Sequence, residues 1–435
     1  MSSRFIILVV FFGTSLPICF ARPFYGILLW TVVAFLNPQS FIWSGSDVFP
    51  WALAVALPTL AGFVMFETGW GRLKSPEVLL ICFLWIWFTF TSFISTNTPM
   101  FVHHSRDTWE RWQLVSKVLL MTAVTIGTTK TFAQLRWLVL VIAGCFGLFL
   151  LKSLPFMILT QGGSRLYGPE NSMIADNNDF GLALDMTLPF FFCLAQTEAN
   201  RWAKRLFGFL FVVAIPAVFF TYSRGALVGL IVVMGAMFVG MKRKLLLVPV
   251  IIVGIFVALL FAPQAWKDRM NPTREGAVID PSALERLNAW TFCWNLALDF
   301  PITGGGFATF TPELFDRYAP NTRDVHGPHS IYFGVLAEHG FIGSFAYLTL
   351  VGICFVSVRR LAKLGRYYDV PLAVGYANML RFSLVGFLVA GAFLGRAYFD
   401  YFFTIVACIV ILKRLCLAEW ASVLKTDFIQ MEVAQ

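Results

Sequence analysis

Charge is scarce in this sequence: Asp, Glu, Lys and Arg make up 13% of 435 residues, against 58% hydrophobic residues and 17% aromatics, 47 of them phenylalanine. That shortage excludes a soluble domain, which could not hide so much apolar surface. Cysteine pairs are missing too. The eight cysteines lie singly, seven in or beside apolar runs and only Cys293 in a long loop, which argues against a disulfide framework and against a cysteine-based metal site. A continuous basic stripe is also absent. The net charge of +9 comes from small clusters between apolar runs, so no nucleic-acid partner is expected. Nor is there an internal repeat of the kind many transporters carry.

What the chain has is a mean hydropathy of +0.74 over its whole length and a series of apolar runs of roughly 16 to 22 residues. Helices rising about 1.5 Å per residue would cross a bilayer in that length. The expected fold is an all-α polytopic membrane protein. Candidate spans are 5–20, 24–38, 49–65, 77–95, 113–129, 137–158, 180–196, 206–222, 225–241, 245–262, 341–358, 379–395 and 399–413. The first run lacks a small-residue cleavage site and leads directly into "ARPFYGILLW", so it reads as retained rather than as a signal peptide. One of the first two short runs is expected not to cross fully, which leaves about twelve spans with both ends on one side.

That side is set by charge. Arg72/Lys74, Lys130/Arg136, Arg201/Lys204/Arg205, Lys242/Arg243/Lys244, Arg359/Arg360/Lys363/Arg366 and Lys413/Arg414 all fall in alternate links, which the positive-inside rule makes cytoplasmic. Residues 96–112, 160–179, 223–225 and 263–330 then face outward. The expected organisation is a transmembrane bundle over 1–262, an outward loop module over 263–340, and C-terminal spans with a cytoplasmic tail over 341–435.

The loop is too long for a mere connector. In "DPSALERLNAWTFCWNLALDF", Asp280 is an N-cap candidate and Pro281 suits the first helical position. Leu284, Leu287, Trp290 or Thr291, Trp294 and Leu298 then form an apolar face suited to the membrane surface or to the spans. This helix reads either as a lid packed on the bundle or as a substrate-contacting element. Gly304, Gly305 and Gly306 in "PITGGGFATF" imply a loop whose backbone approaches something closely.

Next comes "HGPHSIYFGVLAEHGFIG", residues 326–343, with three of the five histidines. The stretch 330–360 exceeds one untilted span, so its first part is expected to be interfacial or the wet end of a long helix. On a continuous helix Glu338 would sit about 180° round from His329, so it should tie this element to another segment. His326 and His329 have zinc-compatible spacing, but no cysteine or carboxylate pattern completes a site, and no metal is expected.

Three arginines fall on the outward side: Arg165 in "GGSRLYGPENSMIADNNDFG", Arg224 in "TYSRGALVGL" and Arg286 in the loop helix. Arginine forks at an outer leaflet suit a lipid diphosphate. A histidine can take a proton from an attacking hydroxyl near neutral pH, the role open to His329. Arg224 could instead be a snorkelling anchor, and Arg286 a solvated helix charge. Asp185, Lys117, Arg396 and Asp400 are ionisable groups in or near apolar runs and so are functional candidates that spacing does not rank.

"HSIYFGVLAEHGFIG" resembles the His-(Asn/Ser)-x5-Leu-x-Glu-x-Gly-x2-Gly signature of the O-antigen ligase and polymerase superfamily through His329, Ser330, Leu336, Glu338, Gly340 and Gly343. "SRGALVGL" is similar to that family's Ser-Arg-Gly element. Arg286, Trp290, Pro301, Gly304 and Gly306 are similar to its Arg-x3-Trp…Pro-x2-Gly-x-Gly element. The N-terminal "CFARPFYGILLWTVVAFLNPQSFIW" resembles the O-glycosylation ligase branch. Ser330 stands where many relatives have Asn, which keeps a hydrogen-bonding side chain.

The resemblance implies a GT-C-like, metal-independent glycosyltransferase without cofactor, in the bacterial inner membrane with its active site facing the periplasm. It implies that His329 is the catalytic base or essential acceptor-side group and that Arg224 and Arg286 hold the diphosphate, with Arg165, Glu338 and Asp400 in supporting roles. The implied partners are an undecaprenyl-diphosphate-linked glycan donor, a lipid A-core acceptor and membrane lipids. O-antigen polymerisation and protein O-glycosylation share the donor chemistry. A lipid-linked glycan flippase is the alternative from another class, and it fits poorly with chemistry gathered at one face.

Overall fold

The computed structural model describes residues 3–41, 49–67, 70–160, 163–240 and 281–433. The described helices are α1 (Ser3–Ala21), α2 (Pro23–Phe35), α3 (Trp51–Phe66), α4 (Pro76–Thr96), α5 (Ser105–Thr128), α6 (Phe132–Thr160), α7 (Asn177–Thr197), α8 (Arg201–Phe220), α9 (Arg224–Gly240), α10 (Pro281–Asp299), α11 (Pro312–Tyr318), α12 (Ile331–Tyr367), α13 (Pro371–Ala390) and α14 (Asp400–Val433). No strand occurs among the described residues. The candidate span 245–262, the basic link at Lys242 to Lys244 and the N-cap candidate Asp280 lie outside them.

Local chemistry starts several helices where their apolar runs begin. Ser75 accepts from the Val78 N–H at 3.3 Å with Pro76 behind it, Asp176 accepts from the Asn178 N–H at 2.8 Å, and Asn200 does so from the Trp202 N–H at 2.8 Å. Among the described residues seven helices are long and apolar enough to cross a membrane: α4, α6, α7, α8, α12, Pro371–Phe393 and Asp400–Trp420. Shorter apolar helices, Ile6–Ala21, Pro23–Phe35, Trp51–Phe66 and Arg224–Gly240, accompany them. The expected span 113–129 forms the apolar half of α5, whose first turns are polar.

α14 is the central element. Tyr401, Phe402, Phe403 and residues 405–412 are buried on every side, as expected of a helix surrounded by others. α13 packs on α7, α9, α12 and α14, and α5 and α6 also touch α14.

Helix ends gather at two poles. At one, Glu67 pairs with Arg72 at 3.0 Å and Lys130 at 2.9 Å, Glu77 pairs with Lys413 at 2.8 Å, and Arg136 pairs with Glu198. Arg414 donates to the backbone carbonyls of Ile126 and Thr129. These groups come from the basic links that the charge pattern assigned to one side. The opposite ends of α4, α5, α7, α12, α13 and α14 meet at the second pole.

The described part of the outward loop, from residue 281 on, docks on that second pole with its own small core, in which α10 buries Ala289, Phe292, Cys293 and Leu296 against Phe101, Leu314 and Phe315. The stripe through Leu284, Leu287, Trp294 and Leu298, for which both the membrane surface and the spans were open, is not this packing face. Leu284, Leu287, Trp294 and Leu298 are between 44% and 57% exposed, so the apolar stripe points outward, as a helix resting on a membrane surface would need. α10 is apolar on two sides, and periodicity alone does not say which one meets the protein.

Candidate active site

α12 is two helices joined at a break. Gly340 has φ 65° and ψ −170°, so residues 331–339 form a short limb and residues 341–367 the long one. The glycine loop holds the break. The N–H groups of Gly305 and Gly306 donate to the Ala337 and Glu338 carbonyls at 2.8 and 2.9 Å, and the Phe341 N–H donates to the Pro301 carbonyl at 2.8 Å. These bonds satisfy groups that the broken helix leaves without i→i−4 partners. Gly304 and Gly306 have positive φ, and a Cβ on Gly304 would stand 2.5 Å from the Ala337 carbonyl oxygen. What the three glycines approach closely is thus the short limb carrying Glu338.

His329 lies just before this limb with φ 43°, a left-handed conformation that costs a non-glycine residue roughly 1–2 kcal/mol. Trp290 fixes it there. Its indole N–H donates to the Pro328 carbonyl at 2.7 Å, and its ring stacks on Phe333 at 5.0 Å. Arg286 is one turn before Trp290 on the same helix face, which carries its guanidinium toward His329. Burial pulls the His329 imidazole below its ordinary value of 6.5, and the Arg286 charge pushes it further, against the pull of Asp179 and Asp176.

A cavity of about 330 Å³ opens beside His329. Its polar walls are Arg111 from α5, Asp179 from α7, Ser330, Glu338, and Arg396 with Tyr398 from the segment before α14. Glu338 reaches not His329 but two other segments: Tyr398 Oη donates to its Oε2 at 2.7 Å, and the Ala308 N–H donates to its Oε1 at 3.3 Å. Asp179 and Arg396 form an ion pair at 2.5 Å. Ser330 Oγ is buried with no hydrogen-bond partner among the described residues, although it lines the cavity.

The other expected site residues are distributed as follows. Arg224 begins α9 at the same pole, beside the 391–393 turn, where a Cβ on Gly225 would stand 3.0 Å from the Phe393 Cβ. Asn177 Nδ2 donates to the Thr221 carbonyl at 2.6 Å and so ties the Ser-Arg-Gly turn to the helix that carries Asp179. Arg165 is exposed and close enough to Tyr222 for its charge to act on that hydroxyl. Arg224, Arg286, Arg165 and Asp400 are not among the residues lining the His329 cavity. Asp400 lines a neighbouring one of about 660 Å³, together with Lys117, Trp30 and Trp51. Asp185 is buried away from both.

Sequence spacing showed no carboxylate pattern to complete a site at His326 and His329, but folding brings Glu285 to Asp324 and His326. Glu285, Asp324 and His326 each bring a ligand atom to within 4.8 Å of the others, with His326 Nδ1 2.6 Å from Asp324. His329 does not belong to that group. Sequence reasoning also missed Arg111, Asp179 and Tyr398, which carry no local motif. Arg396 had been one of several unranked intramembrane charges.

Fold and site together define a polytopic helical membrane protein with a charge-walled cavity at one pole. Residues 187–348, a little over a third of the chain, match the family model described as O-antigen ligase, which supports the resemblance to the O-antigen ligase superfamily. Residues 4–191 match a family of unknown function, DUF5935. No curated protein matches the chain. His329, Glu338, Arg224 and Arg286 fall in the ligase-matching segment, Arg111 in the other, and Arg396 and Tyr398 in neither.

Proposed function

We propose that this protein transfers a glycan from undecaprenyl diphosphate to a sugar hydroxyl of lipid A-core on the periplasmic face of the bacterial inner membrane. The observation that carries the reading is His329, a residue of the ligase-matching segment held in a left-handed turn where it lines a cavity with charged side chains in its wall. Twelve spans in a GT-C-like arrangement, both termini cytoplasmic, accord with the pole of paired basic residues and the opposite pole of the cavity.

The acceptor hydroxyl gives its proton to a neutral His329 nitrogen as its oxygen bonds the anomeric carbon. The bond from that carbon to the diphosphate oxygen breaks, and undecaprenyl diphosphate leaves as an anion. Arg224 and Arg286 hold that charge, which grows in the transition state and is where fixed cations lower the barrier most. His329 is suited to the task because its depressed pKa keeps a basic nitrogen available at neutral pH. A single displacement inverts the anomeric configuration. Glu338 supports the site from the cavity wall and Arg165 and Asp400 from outside the cavity, and no metal takes part in these steps.

The test is transfer in reconstituted membranes, with undecaprenyl-diphosphate glycan offered with and without lipid A-core and the products resolved by mass. Core bearing the glycan, lost on His329→Ala, is the expected result. Lengthening of the donor glycan without core would make the protein a polymerase. No covalent product with any acceptor, or retained configuration, would overturn the mechanism.

A further inference from the structure

Two guanidinium groups line the His329 cavity, and their situations differ. Arg396 is paired with Asp179. Arg111, half-buried on α5, makes no hydrogen bond or ion pair with any described residue. Its placement is built rather than incidental. Thr108, one turn earlier on the same helix face, is buried and donates to the Phe307 carbonyl at 2.8 Å, and the next residue, Ala308, donates its N–H to Glu338. Trp112 locks the helix against α4 through an indole N–H to Thr89 Oγ1 at 2.9 Å. Arg106, by contrast, points outward on the same helix and is paired with Glu110 at 2.9 Å.

Arg111 therefore stands at the Glu338 end of the cavity, whereas Arg286 does not line the cavity and acts on His329 from outside it. Each acts electrostatically on its own neighbour: Arg286 on His329, Arg111 on Glu338 and Tyr398. Glu338 does not use Arg111's donors, since both its oxygens are already held by Tyr398 and Ala308. A guanidinium offers five N–H donors in a fork that matches phosphate or carboxylate oxygens. The Ser330 hydroxyl in the same cavity lacks a protein partner among the described residues, so the cavity presents a cation and a hydroxyl to whatever enters it.

We propose that Arg111 binds an anionic group of a substrate, a phosphate or a carboxylate, at the Glu338 end of the cavity. The region matching the family of unknown function would then contribute directly to substrate binding in the ligase-matching domain. This rests on the glycosyl-transfer reading only for the identity of the substrate. The anion is either the donor's diphosphate or an acidic group on the acceptor glycan.

The experiment is binding, not turnover. The full chain, purified in detergent, is titrated with inorganic pyrophosphate and, separately, with glucuronic acid, alongside Arg111→Gln, Arg111→Lys and the outward control Arg106→Gln. Binding of at least one probe should weaken about tenfold or more in Arg111→Gln, recover in part in Arg111→Lys and stay unchanged in Arg106→Gln. Loss of pyrophosphate alone identifies the donor diphosphate, and loss of glucuronic acid alone identifies an acidic acceptor. If the wild-type chain binds neither probe, or Arg111→Gln binds both as the wild type does, the proposal fails and Arg111 is only a counter-charge to Glu338. A matching thermal-unfolding curve for Arg111→Gln excludes misfolding as the cause. Since no transfer is measured, failure here leaves the glycosyltransferase reading standing, and failure of the transfer assay leaves this result standing.

Discussion

Tyr398 Oη donates to Glu338 Oε2 at 2.7 Å, joining the segment before α14 to the short limb that follows His329. Both residues are buried. Tyr398→Phe would leave that carboxyl oxygen without its donor, at about 1–3 kcal/mol. Thermal unfolding in detergent should shift down accordingly, and transfer should fall less than in His329→Ala. An unchanged melting temperature would show that the bond contributes nothing net.

The His329 imidazole is held below its ordinary value of 6.5 by burial and by Arg286. A general base works while neutral, so the acid limb of the kcat/KM profile should fall below pH 6.5. Removing a positive charge favours the imidazolium, which raises its pKa. Arg286→Gln should therefore move the acid limb up, in addition to slowing transfer. A limb that stays in place would mean that His329 is not the titrating group.

Gly340→Ala should destabilise the fold strongly. A Cβ there would stand 2.5 Å from the Ile302 carbonyl oxygen and 2.6 Å from that of Pro301, and φ 65° adds strain of roughly 1–3 kcal/mol. Gly352→Ala is the control: it lies in the long limb, and nothing stands within 4 Å of an added Cβ. The yield of folded, monodisperse protein should drop for the first substitution and hold for the second.

Breaking the Asp179–Arg396 pair from one side leaves a charge inside the bundle. Asp179→Ala is expected to cost about 3–5 kcal/mol, and the double variant with Arg396→Ala less than the sum of the two single changes. A double-mutant cycle by thermal or denaturant unfolding measures the coupling. Strict additivity would mean that the pair is not energetically coupled.

Much of this protein is legible along the chain because bilayer crossing is a one-dimensional constraint. A run of apolar residues long enough to span must be helical, since lipid offers its backbone no hydrogen bonds. The basic links around Arg72, Lys130 and Lys413 gather at one pole for the same reason. The break within 330–360 was half visible: length called for an interruption, but only the backbone shows that Gly340 makes it, with the Gly304–Gly306 loop as its cap.

The site was legible only where a motif is contiguous. His329, Glu338, Arg224 and Arg286 stand in short recognisable stretches. Arg111, Asp179 and Tyr398 reach the same pole from helix ends far apart in sequence, and no spacing rule links positions 111, 179, 338 and 398.

The sequence by itself determined the membrane class, the helical elements, the side on which basic charge accumulates and the O-antigen ligase resemblance, because hydropathy, charge and short motifs are properties of neighbouring residues. The tertiary structure alone decided which face of α10 turns outward, which charges become paired, and that Arg111 meets Glu338 in one cavity. Those outcomes depend on how separate helices pack against one another.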